Sequence, residues 1–140
     1  MQQSYDENNI FAKLIRGEIP SIRVYEDDDV IAFMDVMPQG KGHTLIVPRK
    51  GSRNLLDAEP ETLAKVIKVV QKIAKAVKKA FNADGVTVMQ FNEPASGQTV
   101  FHLHFHVIPR FENVPLKPHS GEPVDTKTLE ESAAKIRAAL

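Results

Sequence analysis

Apolar residues recur with changing period along the chain. Ile10-Phe11-Ala12-Lys13-Leu14-Ile15 has helical spacing, and Gly17 can end that short helix. Pro20 closes the passage. Ile22–Tyr25 and Val30–Met34 read as two arms of a hairpin around the acidic turn Glu26-Asp27-Asp28-Asp29. That turn lacks the spaced oxygen ligands and glycine of a calcium loop, so a solvated turn is the preferred reading. Pro38–Gly42 is a turn by composition. His43–Val47 is a third strand, stopped by Pro48. Pro60 suits the first turn of the clearest helix, whose apolar stripe is Leu63, Val66, Ile67, Val70, Ile73, Val77 and Phe81. Its lysines, Lys65 to Lys79, read as a solvated face. Asn82–Gly85 ends it. Val86–Phe91 is a fourth strand, Asn92–Gly97 a loop, and the histidine-rich segment from His102 a fifth strand. Phe111–Asp125 is irregular, and Thr128–Leu140 is a last helix with Leu129, Ala133, Ile136 and Leu140 on one side.

Strands, one long helix, then more strands suit an antiparallel sheet covered by helices on one face, the α+β class. The 140 residues are enough for one domain and too few for two full ones. Residues 1–140 are therefore expected to form a single domain, with 112–140 an irregular tail plus a C-terminal helix.

Eighteen basic and eighteen acidic side chains cancel, so no net field points to nucleic acid or a membrane surface. With no cysteine, disulfides and thiolate metal sites are excluded. The N-terminus lacks the basic and apolar regions of a signal peptide, and no apolar run approaches a membrane span. A cytoplasmic location is the expectation.

Candidate chemistry concentrates in "HLHFHVIPR", which holds three of the five histidines in five residues. On a strand, residues two apart share a face, so His102, His104 and His106 would lie together, with Leu103, Phe105 and Val107 behind them. A polar sheet face that happens to use histidine is improbable at this composition. A zinc site is conceivable, but no carboxylate follows until Glu112. Nucleophilic catalysis at a phosphorus or acyl centre fits imidazole chemistry near neutral pH. The preceding Ser96-Gly97-Gln98-Thr99-Val100 loop favours phosphorus, because its N–H groups and polar side chains could hold phosphate oxygens.

These residues resemble the histidine triad (HIT) family, in its Hint-type branch. "IFAKLIRGEIPSIRVYEDDDVIAFMDVMPQGKGHTLIVPRK" is similar to its amino-terminal half and "FNEPASGQTVFHLHFHVIPR" to its active-site half, about residues 9–111 in all. The resemblance implies a five-stranded antiparallel sheet, paired into a ten-stranded sheet in a homodimer through the long helices and fourth-strand region. It implies hydrolysis or transfer at the α-phosphate of a purine nucleotide, typically an AMP-amine conjugate, with no cofactor. His104 would be the nucleophile, with its tautomer fixed by the His102 carbonyl and with support from His106 and His43. Thr99 and the Val100 N–H would contact phosphate, Gly97 and Gln98 would shape that cradle, and Asn92 would add a donor. Asp35 would accept from the ribose hydroxyls. Phe11, Ile31, Phe33 and Val36 would form an apolar slot for the base. His119 is expected to be exposed and receives no role.

Many bacterial relatives carry Cys-x-x-Cys before the first helix and a later histidine, which join the first triad histidine on a structural zinc. The corresponding positions are Asn9, Ala12 and Gly51, so no structural zinc is expected and His102 is left to orient the site. A dinucleoside polyphosphate hydrolase, a nucleotide-binding regulatory protein and a metal-binding module are the competing functions.

Overall fold

The computed structural model describes residues 4–119 and 123–140. Helix α1 (Ile10–Ile15) is capped by Asn9, whose side chain accepts from the Ala12 N–H. Strands β1 (Arg23–Glu26), β2 (Val30–Met34) and β3 (Thr44–Pro48) follow. The long helix α2 (Pro60–Ala80) leads to β4 (Gly85–Met89) and β5 (Phe105–Arg110), and α3 (Thr126–Ala139) ends the chain. The five strands form one antiparallel sheet of order β1-β2-β3-β5-β4. This is the expected α+β architecture.

Alternation along the strands sorts the side chains into two clusters. Val30, Ala32, Met34, Ile46 and Val107 face α2 and α3, meeting Val66, Val70, Ile73, Val77, Leu129, Ala133 and Ile136. Ile31, Phe33, Leu45 and Val47 take the opposite face, where Phe11 and Leu14 of α1 cover them. Helices therefore lie on both faces, not on one as the sequence suggests. The buried stripe of α2 also includes Val69 and Ala76, while Ile67 is exposed. Ile67 sits one step of roughly 100° around the helix from Val66, at the edge of the stripe.

The last strand begins later than expected. Ile46 pairs with Phe105, so in continued register Pro48 would stand opposite Leu103. Proline has no N–H to extend the ladder. The Leu103 N–H instead bonds the Ser52 carbonyl at 2.9 Å. His102 and His104 thus precede β5, and only His106 lies within it. The other differences are shifts of one to two residues at element ends, where helices and strands fray.

Candidate active site

The segment from His102 to His106 crosses the α1 face of the sheet. All three rings are buried, His102 completely, as is His43 at the start of β3. The His104 and His106 ring centroids are 5.1 Å apart, and Phe11 meets the His104 ring edge-on at 4.9 Å. The His104 and His106 rings thus meet although only His106 is held by sheet pairing.

Hydrogen bonding fixes a tautomer for each ring. His104 Nδ1 lies 2.6 Å from the His102 carbonyl oxygen, which only accepts, so Nδ1 carries the proton and Nε2 keeps its lone pair. His43 Nδ1 accepts from the Gln39 N–H at 3.0 Å, which puts the His43 proton on Nε2. That proton is donated to His106 Nδ1 at 2.9 Å. The His106 proton is consequently on Nε2. His102 Nε2 donates to the Pro48 carbonyl at 2.8 Å, leaving Nδ1 to accept from the Tyr5 hydroxyl, also at 2.8 Å.

Burial keeps these rings neutral. It pushes His43 and His102 down to about 4 and His106 to about 3, and it lowers His104 as well. The His102 carbonyl partly offsets burial at His104 by favouring its protonated form.

Asp35 closes the site near His43. Its Oδ1 accepts from the Met37 N–H at 2.8 Å. Its Oδ2 accepts from His119 Nε2 at 2.6 Å and lies 3.5 Å from His43 Nε2. His119 is exposed, as the sequence suggests, but it is bonded to Asp35, a contact the sequence reading did not assign. Two backbone bonds pin the tail around it, Lys117 N–H to Gln39 carbonyl at 2.7 Å and Val124 N–H to Val36 carbonyl at 3.0 Å. A histidine isolated among prolines gives no periodic signal by which sequence could have found it.

Asp35, His43 and His106 bring one oxygen and two nitrogens within 4.8 Å of one another, a grouping that could hold a metal ion. The inward nitrogens of the two histidines are already engaged with each other, one donating and one accepting, so the cluster is satisfied without a cation.

The loop before the triad divides between scaffold and cradle. Gln98 is spent on scaffolding. Its Oε1 accepts from Asn54 Nδ2 and the Glu93 N–H, and its Nε2 donates to the Arg53 and Val100 carbonyls. It shapes the loop but has no polar atom left for phosphate. Gly97 has φ +108 and caps the 3-10 turn Pro94–Ser96, a conformation only glycine takes readily. Glu93 also has positive φ, 73°, and its carboxylate is held by Arg53 Nε and Nη2 at 2.8 and 3.0 Å and by Asn54 Nδ2 at 2.6 Å. Sequence reading missed Arg53, Asn54 and Glu93, because the Arg53-Asn54 pair lies 39 to 40 residues from Glu93. Asn92 Oδ1 accepts from the Leu55 N–H and from Gln90 Nε2, and Asn92 Nδ2 donates to Gln90 Oε1. Thr99 is exposed and, with Val100, lines a cavity of about 540 Å³ shared with Asn9, Ile10 and Arg53.

The apolar residues expected around a base are also divided. Phe11 and Phe33 stack edge to face at 5.4 Å. Ile31 is completely enclosed beneath them and presents no surface to a ligand, while Val36 is half exposed at the Asp35 turn.

Neutral, tautomer-fixed imidazoles thus line one face of an antiparallel sheet. The HIT domain model matches residues 16–113, and the chain belongs to that family of nucleotide-binding hydrolases and transferases. A Hit-like protein of Bartonella henselae, described as involved in cell-cycle regulation and crystallised with an unknown ligand, is 73% identical. The match covers 99% of this chain and all of that one, with a TM-score of 0.95. A zinc-bound histidine triad protein of Mycobacterium smegmatis is 36% identical over 94% of this chain and 92% of that one, with a TM-score of 0.83. The adenylylsulfatase HINT3 of Arabidopsis thaliana is 38% identical over 103 residues, 74% of this chain and 52% of that protein. Among the described residues no helix is long and apolar enough to cross a membrane.

Proposed function

We propose that this protein hydrolyses adenosine 5′-phosphoramidates through a nucleotidyl-histidine intermediate. The observation that carries the reading is the bond from His104 Nδ1 to the His102 carbonyl, which leaves Nε2 as the unprotonated nitrogen. The Nε2 lone pair attacks the α-phosphorus as the P–N bond to the amine breaks. The departing amine takes its proton from solvent while His106 Nε2–H, the donor left once Nδ1 accepts from His43, hydrogen-bonds the leaving nitrogen. The resulting imidazolium keeps its Nδ1–H on the His102 carbonyl, which stabilises the charge. Water then attacks phosphorus as the P–Nε2 bond breaks, releasing AMP and neutral His104, and the water's proton passes to solvent. Splitting one displacement into two is the benefit of the covalent route.

Asp35 binds the ribose hydroxyls in this reading. Val100 N–H and Thr99 hold phosphate oxygens, with Asn92 as a further donor, and Phe11, Phe33 and Val36 flank the base. A homodimer is part of the proposal. Its support is that β4 is one of the two edge strands, with Val88 exposed on it and Ile67 exposed on α2.

A second reading is favoured by the Arabidopsis relative, whose name gives adenylyl sulfate as its substrate. Sulfate departs without a proton, so that reaction needs His104 but not the His106 donor to a leaving nitrogen. Turnover of an AMP-amine conjugate, adenylyl sulfate and diadenosine polyphosphates should be compared in wild type, His104→Ala and His106→Ala. Amine release lost in both variants supports the proposal. Fast sulfate release that survives His106→Ala supports the second reading. A preference for the polyphosphate identifies a dinucleoside polyphosphate hydrolase. AMP binding with no turnover of any of them marks a nucleotide-binding regulatory protein.

A further inference from the structure

The zinc implied by the resemblance does not fit this chain. Of its four positions, Ala12 has no donor atom and Gly51 has no side chain. Asn9 Oδ1 accepts from the Ala12 N–H at 2.9 Å and its Nδ2 donates to the Asp6 carbonyl at 2.8 Å, so one end of that side chain caps α1 and the other holds the turn before it. The remaining position, His102, is already bonded at both ring nitrogens.

The space left by these substitutions is filled by one side chain. Tyr5 brings its hydroxyl to His102 Nδ1 at 2.8 Å, and its ring meets the imidazole edge-on at 5.6 Å. A Cβ on Gly51 would lie 2.4 Å from Tyr5 Cζ and 2.5 Å from Cε2, closer than real side chains approach. The glycine and the tyrosine are therefore two halves of one arrangement, since a side chain at position 51 would displace the phenol.

We infer that Tyr5 is a positioning residue for His104, acting through His102 in place of a metal ion. His102 is clamped between the Tyr5 hydroxyl and the Pro48 carbonyl, and the carbonyl of this same residue holds His104 Nδ1. Without the phenol, Nδ1 is a buried acceptor with no partner, which costs enough to drive the ring to another orientation. The carbonyl that sets the nucleophile moves with it. This inference rests on the proposed role of His104, but the contact itself does not depend on activity.

The test is Tyr5→Phe, which keeps the ring and removes the donor, with Gly51→Ala as a second route to the same loss. Nitrogen-15 NMR of the histidine rings reads the contact directly. Tyr5→Phe is expected to move the His102 Nδ1 resonance downfield. It should also lower kcat on the AMP-amine conjugate about tenfold at unchanged KM, the low end for outer partners of a buried histidine. Gly51→Ala is expected to reproduce both effects, and the double variant to be no worse than the larger single one. An unmoved His102 resonance, or an unchanged kcat, overturns the inference, as does one tightly held zinc per chain in untagged wild-type protein. If wild type cleaves none of the nucleotides, the functional proposal fails by itself and the His102 resonance alone decides this one.

Discussion

His104 Nδ1 stands 2.6 Å from the carbonyl oxygen of His102, two residues earlier, and this one contact decides which nitrogen is free. Replacing His104 with alanine removes the nucleophile and leaves Phe11, Asp35 and the loop before the triad in place. The expected result is a loss of at least about 10³-fold in kcat on an AMP-amine conjugate, comparable to deleting other nucleophiles. AMP affinity by calorimetry is expected to change less than about tenfold. Base-stable, acid-labile labelling of wild-type protein by AMP, absent from His104→Ala, would identify the intermediate. Full activity in the variant would refute covalent catalysis at this residue.

The relay from the Gln39 N–H through His43 to His106 makes a second prediction. His43→Ala deletes the donor to His106 Nδ1 and leaves a buried acceptor unpaired. The expected cost is about 1–3 kcal/mol of stability, read from urea denaturation. The His106 tautomer is expected to lose its preference, visible in its ring nitrogen resonances. A double-mutant cycle with His106→Ala should show coupling of about 0.5–3 kcal/mol. Additive effects would mean the 2.9 Å contact carries no energy.

Much of this was legible in the sequence because it depends on periodicity. Helical spacing located α1 and most of the α2 stripe, and two-residue alternation assigned Val107 to the core and His106 to the opposite face. The meeting of the His104 and His106 rings was also legible, although its cause was not. His102 and His104 are aimed by carbonyl contacts from Pro48 and from His102 itself, because the sheet ladder stops where Pro48 lacks an N–H. Contacts across long sequence separation gave no signal. Tyr5 reaches His102 over 97 residues, His119 reaches Asp35 over 84, and Arg53 reaches Glu93 over 40. Nothing in the local composition near Tyr5 or His119 marks them, since each acts as a single polar atom delivered by an irregular segment.

The buried neutral histidines predict how stability and activity depend on pH. The ordinary histidine value is about 6.5, and burial pushes His43 and His102 to about 4 and His106 to about 3. Between these values the unfolded chain binds protons that the folded chain does not. Stability is therefore complete above about pH 6.5 and falls as pH drops toward 4, by roughly 1.4 kcal/mol per pH unit for each proton. Urea midpoints at pH 7, 6, 5 and 4.5 should decline in that order. His104 is lowered by burial too, so kcat/KM is expected to plateau at pH 7 and fall only below about 6.5. A midpoint that rises on acidification would contradict buried neutral rings.

The 2.6 Å bond between His119 and Asp35 Oδ2 occupies the oxygen proposed to receive the ribose hydroxyls. Asp35 Oδ1 is held by the Met37 N–H, so a ribose must displace the imidazole or share a crowded carboxylate. Removing the competitor should help binding without touching the reacting nitrogen. His119→Ala is therefore expected to lower KM for an adenosine substrate about threefold to tenfold, in keeping with the net worth of one ordinary hydrogen bond, at nearly unchanged kcat. Asp35→Asn is expected to raise KM, and in that background His119→Ala should have little further effect. A 2′-deoxyadenosine substrate provides the cross-check, since losing one hydroxyl should shrink the benefit of His119→Ala. If His119→Ala instead raises KM, the tail histidine belongs to the binding surface and the ribose contact must be reassigned from Asp35 alone to the pair.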